Sequence, residues 1–129
     1  MELIVVLLLA GILSATALPY FTGTESKATA YSEQVKAAAR YAQRQAVAQR
    51  RNVYVCIAAT SVSLAYDAGC STLLAQPGTT SSFSLAAPSS VTMTATTFSF
   101  NSLGQPSSAQ SLNVGGHTIT VEAETGYVH

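Results

Sequence analysis

Residues 35–56 read VKAAARYAQRQAVAQRRNVYVC, and the change of character around Asn52 decides the fold. Ala, Gln, Arg, Glu and Lys dominate from Thr24 to Arg51, with no Gly or Pro, which predicts a helix over 24–51. Within it Tyr31, Val35, Ala38, Ala42 and Ala46 recur at steps of three and four and form an apolar stripe. The stripe is mostly alanine, so whatever packs on it must approach closely. Lys36, Arg40 and Arg44 follow one another at i, i+4, i+8 on a different face, with Glu33 one turn before Lys36. Asn52 is the expected helix terminator. Beyond it Val53–Ile57 and Val62–Tyr66 are rich in β-branched and aromatic residues, which predicts two strands joined by a hairpin over Ala58–Ser61.

Toward the C-terminus, Ser71–Ser90 is packed with Ser, Thr, Ala, Pro and Gly and reads as a loop with one short strand near Phe83–Leu85. Val91–Asn101 alternates again, before a turn at Leu103–Pro106. In SLNVGGHTITVEA, residues 111–123, Gly115-Gly116 is a two-residue hairpin turn that needs positive φ at both positions. That register pairs Val114 with His117 and Leu112 with Ile119, all on one face with Val121. Thr118, Thr120 and Glu122 point the other way, and Thr125–His129 is expected to add one more short strand. The outline is α+β: a long N-terminal helix whose C-terminal half covers an antiparallel sheet.

Toward the N-terminus the chain is apolar from Leu3 to Phe21, LIVVLLLAGILSATALPYF, with Ser14 and Thr16 the only polar side chains. As a helix its 19 residues cover roughly 28 Å, close to the hydrocarbon thickness of a bilayer. Two readings compete. One is an uncleaved membrane span. The other is a secretory signal peptide, for which Ala15-Thr16-Ala17 is an A-x-A-like cleavage site. The acidic start Met1-Glu2, where a signal peptide carries Lys or Arg, favours the span. Residues 1–23 are therefore expected as a hydrophobic transmembrane segment. Residues 24–129 are expected as a globular domain, with an amphipathic helix at 24–51 and a β-rich part at 52–129.

The 129 residues carry 6 basic and 6 acidic side chains, and only 9% are charged. That balance argues against a nucleic-acid binder working through surplus positive charge, and it excludes an acidic disordered tail. All the cations, Lys27, Lys36, Arg40, Arg44, Arg50 and Arg51, lie on the predicted helix. They read as a solvated face or, for Lys36, Arg40, Arg44, Arg50 and Arg51, as a contact with a neighbouring subunit or anionic lipid. Cys56 and Cys70 are expected to form a disulfide if the domain is exported, the alternative being two unconnected buried thiols. His117 lies beside a hairpin turn and His129 is the last residue, and neither has an identifiable carboxylate partner in the sequence. No phosphate loop, HExxH, GxSxG or metal-ligand spacing is present, so the sequence offers no catalytic, cofactor or metal assignment and points away from an enzyme.

Glu2 opens the apolar run, and the context ELIVVLLLAGILSATALPYF resembles the N-terminal signature of type IV pilins and type II secretion pseudopilins. In that family a processed chain begins with a methylated Phe, followed by three residues and a glutamate that heads an apolar helix. Glu2 matches the glutamate, and Pro19 falls where the family's helix-kinking proline stands. The basic leader, its Gly and the residues before the one that Met1 matches are absent, so the expectation is an internal start. VKAAARYAQRQAVAQRRNVYVC, FSFNSLGQP and the closing TGYV are similar to the GspH/FimT group of minor pilins and pseudopilins. A MSHA-type minor pilin would read much the same way.

The resemblance implies a type IV pilin-like fold and a structural mechanism. A single-pass subunit waits in the bacterial inner membrane with its β domain in the periplasm. Through the assembly platform it then enters a filament, where the apolar helices of neighbouring pilins or pseudopilins form the core. There the Glu2 carboxylate would pair with an α-amino group, its own or a neighbour's, each compensating a charge costly to bury alone. GspH/FimT-like proteins help prime assembly or sit near the filament tip. FimT-like relatives take part in DNA uptake through Arg near the C-terminus. Gly126-Tyr127-Val128-His129 lacks those arginines, which makes nucleic acid the lesser reading, alongside an anchored periplasmic domain that never joins a filament.

Overall fold

A computed structural model describes residues 1–22 and 24–129, with the side chains of residues 13–25 outside the description. The elements run α1 (Glu2–Thr22), α2 (Thr24–Gln49), β1 (Val53–Ile57), β2 (Ser61–Ala65), β3 (Ser84–Ala86), β4 (Thr96–Phe100), β5 (Gln110–Val114) and β6 (His117–Val121). Pro19, where a kink is expected, lies within α1, among the residues whose side chains are outside the description.

α2 packs as its periodicity predicts. Tyr31, Val35, Ala38, Ala42 and Ala46 are all buried, joined by Ala28 and Ala39. This alanine face lies against β1 and β6 and also touches β2, β4 and β5, so one helix packs on both sheets. Ser32 is buried on the same face because its hydroxyl donates back to the Thr29 carbonyl at 2.7 Å. The helix does not end at Asn52 as expected. Arg50 takes a left-handed conformation, φ 52°, and the Arg51 N–H donates to the Ala46 carbonyl at 3.2 Å. That six-to-one bond is a Schellman ending, in which an arginine tolerates a backbone usually given to Gly or Asn. It turns the chain straight into β1.

The β half is two sheets rather than one. A four-stranded antiparallel sheet has the order β3-β2-β1-β4, and β5 and β6 form a separate pair. Backbone bridging joins them: Met93 pairs with Val114, and the Gly115 N–H donates to the Thr92 carbonyl at 3.0 Å. The β5–β6 register is the predicted one, with Val114 opposite His117 and Leu112 opposite Ile119. Gly115 and Gly116 turn the chain at φ 56° and 90°, and Leu112, Val114, Ile119 and Val121 are buried. His117, at the open end of that face, is exposed. The tail folds back on β6 through paired bonds between Thr120 and His129, 2.8 and 2.9 Å, and a bridge from Val121 to Val128.

Val53, Val55, Val62, Leu64, Phe98 and Phe100 carry the core on the larger sheet. Full burial of such a side chain is worth roughly 1.5–3 kcal/mol each. The Ser/Thr-rich stretch after β2 also contributes, because Leu74 and Phe83 swing into the core as Leu74 bonds to Leu64 and Phe83 to Leu74 through their backbones. Cys56 on β1 and Cys70, in the turn after β2, are joined by a disulfide with their Cα atoms 6.3 Å apart.

Candidate assembly surface

α1 differs from the rest of the molecule in that none of its described side chains, from Glu2 to Ile12, is covered. Leu3, Ile4, Val5, Val6, Leu7, Leu8, Leu9 and Ile12 are each between 55% and 78% exposed. A helix that is apolar all round belongs among other apolar groups, not in water. Glu2 stands exposed in its first turn, where a carboxylate suits the positive end of the helix dipole. The described side chains of α1 stop at Ile12, and among the described residues no helix is long and apolar enough to cross a membrane.

The basic residues on and just after α2 do not act as one stripe. Lys36 pairs with Glu33 at 3.1 Å. Arg40 reaches across the domain, donating through Nη2 to the Val128 carbonyl at 2.9 Å, and so holds the tail. Arg51 lies over the Tyr66 ring at 4.0 Å from its centre. Arg44 and Arg50 remain exposed, with no ion pair among the described residues.

His129 does have a carboxylate partner, contrary to the sequence expectation: its Nε2 lies 2.7 Å from Glu122 Oε1. Folding the tail beside β6 creates this exposed pair, and Tyr127 stacks on the same imidazole at 5.1 Å. His117 Nε2 sits 3.3 Å from the Thr29 hydroxyl, across from α2. Asp67 organises the turn that carries Cys70. It accepts from the Ser71 hydroxyl at 2.6 Å and from the Thr72 N–H at 2.8 Å, and these bonds hold its carboxyl below the ordinary 3.8. Burial raises the Tyr31 phenol, whose hydroxyl donates to the Leu85 carbonyl at 2.8 Å. Among the described residues no buried side-chain polar atom lacks a partner, so none is left aimed at a ligand.

Sequence reasoning missed Gln43. Its side-chain amide donates to the Gly104 carbonyl at 2.8 Å and the Thr125 carbonyl at 3.1 Å, joining α2 to the β4–β5 turn and to the tail. A glutamine on a helix otherwise rich in Gln and Arg carries no local signal of that role.

A helix with an apolar, uncovered first half and a second half laid on antiparallel sheets is the architecture of type IV pilin-like subunits. Two crystal forms of the type IV minor pilin FimU of Pseudomonas aeruginosa are similar to it in fold. One aligns with TM-score 0.57 at 16% identity over 81% of this chain and 90% of that one. The other gives 0.58 at 14% over 87% and 90%. The chain belongs to the GspH family, since the family model for Type II transport protein GspH matches residues 32–126. No curated protein matches the chain. Family and fold are thus those of structural pilins rather than enzymes.

Proposed function

We propose that this chain is a minor pilin or pseudopilin, a structural subunit that helps initiate or cap assembly of a type IV pilus or a type II secretion pseudopilus. Residues 1–23 are its inner-membrane anchor and later its filament-core segment, and residues 24–129 are its periplasmic head. The observation that carries this reading is α1, apolar on every described face and uncovered from Leu3 to Ile12. Such a surface needs lipid before assembly and neighbouring apolar helices after it. GspH family membership and the FimU-like fold support the same reading.

Glu2 then has a specific task. In a low-dielectric helix core its carboxylate is tolerated only when paired, and an α-amino group of its own or a neighbouring pilin supplies the partner. The pair sets the stagger between subunits, while the inner-membrane assembly platform delivers each subunit to the growing end. Nucleic acid has no part in this reading, because no Lys or Arg follows Arg51.

The test is Glu2→Ala in the full chain. Alkaline extraction should leave the variant in the membrane fraction, while its recovery in sheared filaments falls sharply. Incorporation at the wild-type level would overturn the proposal.

A further inference from the structure

Beyond Met1 and α1, the large apolar side chains exposed among the described residues are Val47, Leu103 and Tyr127. The fold brings Val47 and Leu103 together near the end of α2. Val47 and Leu103 line one shallow pocket of about 310 Å³ together with Ala48 and Gly104. Tyr127 follows Gly126, whose backbone abuts the Gly104 carbonyl.

Leu103 is 78% exposed yet firmly presented. Asn101 Oδ1 accepts from the Leu103 and Gln105 N–H groups, each at 3.0 Å, and the Gly104 N–H donates to the Asn101 carbonyl at 2.9 Å. Gln43 clamps the same turn from α2. The backbone of a turn braced in this way has little conformational freedom left to lose on binding.

Arg44 lines the same pocket, exposed and without an ion pair among the described residues. Lys36, Arg40 and Arg51 are engaged within the fold, so the charge left unmatched here sits beside apolar surface. A purely apolar occupant would leave the guanidinium unanswered, and a free anion would leave Val47 and Leu103 uncovered. A nucleic acid would call for many more cations than this end carries. The complement is an apolar side chain flanked by a carboxylate, whose pairing with Arg44 strengthens as the apolar contact excludes water.

We propose that this end of the head docks a neighbouring pilin-like subunit through a segment carrying an apolar side chain next to a carboxylate. The apolar group seats against Val47 and Leu103, and the carboxylate meets Arg44. This inference rests on the minor-pilin reading and names the chemistry of one neighbour.

The test uses the full chain in the bacterium that encodes it, with Leu103→p-benzoylphenylalanine as a photocrosslinker. Illumination should give an adduct with a pilin-like subunit, and the linked peptide should hold an Asp or Glu beside an apolar residue. Arg44→Glu should cut the adduct yield about tenfold, Arg44→Lys should keep most of it, and reversing the partner's acid to Lys should restore it to Arg44→Glu. Retention of the Cys56–Cys70 disulfide and of wild-type protease resistance confirms that each variant is folded. No adduct, an adduct with nucleic acid or lipid alone, a linked peptide without an acid, or a yield indifferent to Arg44→Glu overturns the proposal. The same crosslinker at Leu7 reports separately on α1. Adducts from Leu7 with pilin-like neighbours but none from Leu103 would sink this docking surface and leave the minor-pilin reading standing. Leu7 adducts with lipid alone under filament-forming conditions would sink that reading as well.

Discussion

The side-chain amide of Gln43 donates to the carbonyl of Gly104 at 2.8 Å, across 61 residues of sequence. The same amide reaches Thr125, so one side chain on α2 secures both the β4–β5 turn and the start of the tail.

Removing that clamp should be measurable. Gln43→Ala leaves two carbonyls without this donor and should cost about 1–2 kcal/mol in denaturant unfolding of the detergent-solubilised chain. Gly126→Ala should cost more than Gln43→Ala. Gly126 has φ 70°, and an added Cβ would collide with the Gly104 carbonyl oxygen and the Gln43 amide. Equal midpoints for both variants and the parent would show that the clamp contributes nothing.

The alanine face of α2 sets how closely the helix approaches the sheets. Ala42 has no exposed surface, so Ala42→Leu must push α2 away from its partners. An overpacking cost of about 1–3 kcal/mol is expected, read as a lower denaturant midpoint. Ala37→Leu, on the exposed face of the same helix, should change the midpoint little.

Reducing the Cys56–Cys70 disulfide should also destabilise the head. It closes a loop of about 15 residues, for which the chain-entropy estimate is roughly 3 kcal/mol. Unfolding curves with and without reductant measure the difference, and Cys56→Ala/Cys70→Ala should match the reduced protein rather than the oxidised one.

Asp67 predicts a specific acid sensitivity. Its hydrogen bonds from Ser71 and Thr72 hold the folded carboxyl below the ordinary 3.8. The unfolded chain therefore takes up the proton first as pH falls, and the stability this group supplies is full above that value and lost below it. Between about pH 4 and pH 2 the wild type should lose more of its thermal midpoint than Asp67→Asn does. Parallel pH profiles for the two proteins would remove Asp67 as a cause.

Much of the fold was legible locally. The three- and four-residue recurrence of Tyr31, Val35, Ala38, Ala42 and Ala46 named the buried face of α2, and Gly115-Gly116 set the β5–β6 register. Both signals act over a few residues, where backbone preference and side-chain period are strongest. The stretch from Ser71 to Ser90 was less transparent. Leu73-Leu74 and Phe83-Ser84-Leu85 are short apolar interruptions in a run of Ser, Thr, Pro and Gly, and nothing nearby says that Leu74 and Phe83 are the ones that enter the core. The helix ending at Arg50 was also hidden, because arginine rarely takes a left-handed backbone and nothing nearby announces it.

The candidate site divides in the same way. Glu2 and the apolar run behind it are visible in the sequence, since burial demand follows directly from composition. The fate of each cation is not, because Arg40 finds Val128 88 residues away and only the folded tail creates that carbonyl's position.

Sequence alone thus determined the long helix, the switch to β structure after it, the hairpin register and an apolar segment headed by a single acid. Each rests on short-range periodicity or on the conformational limits of a few residues. Tertiary structure alone decided that two sheets share one helix, that His129 meets Glu122, and that Arg44 lies beside Val47 and Leu103. These depend on where distant backbone segments come to rest, and pairings between residues far apart in the chain leave no local pattern to read.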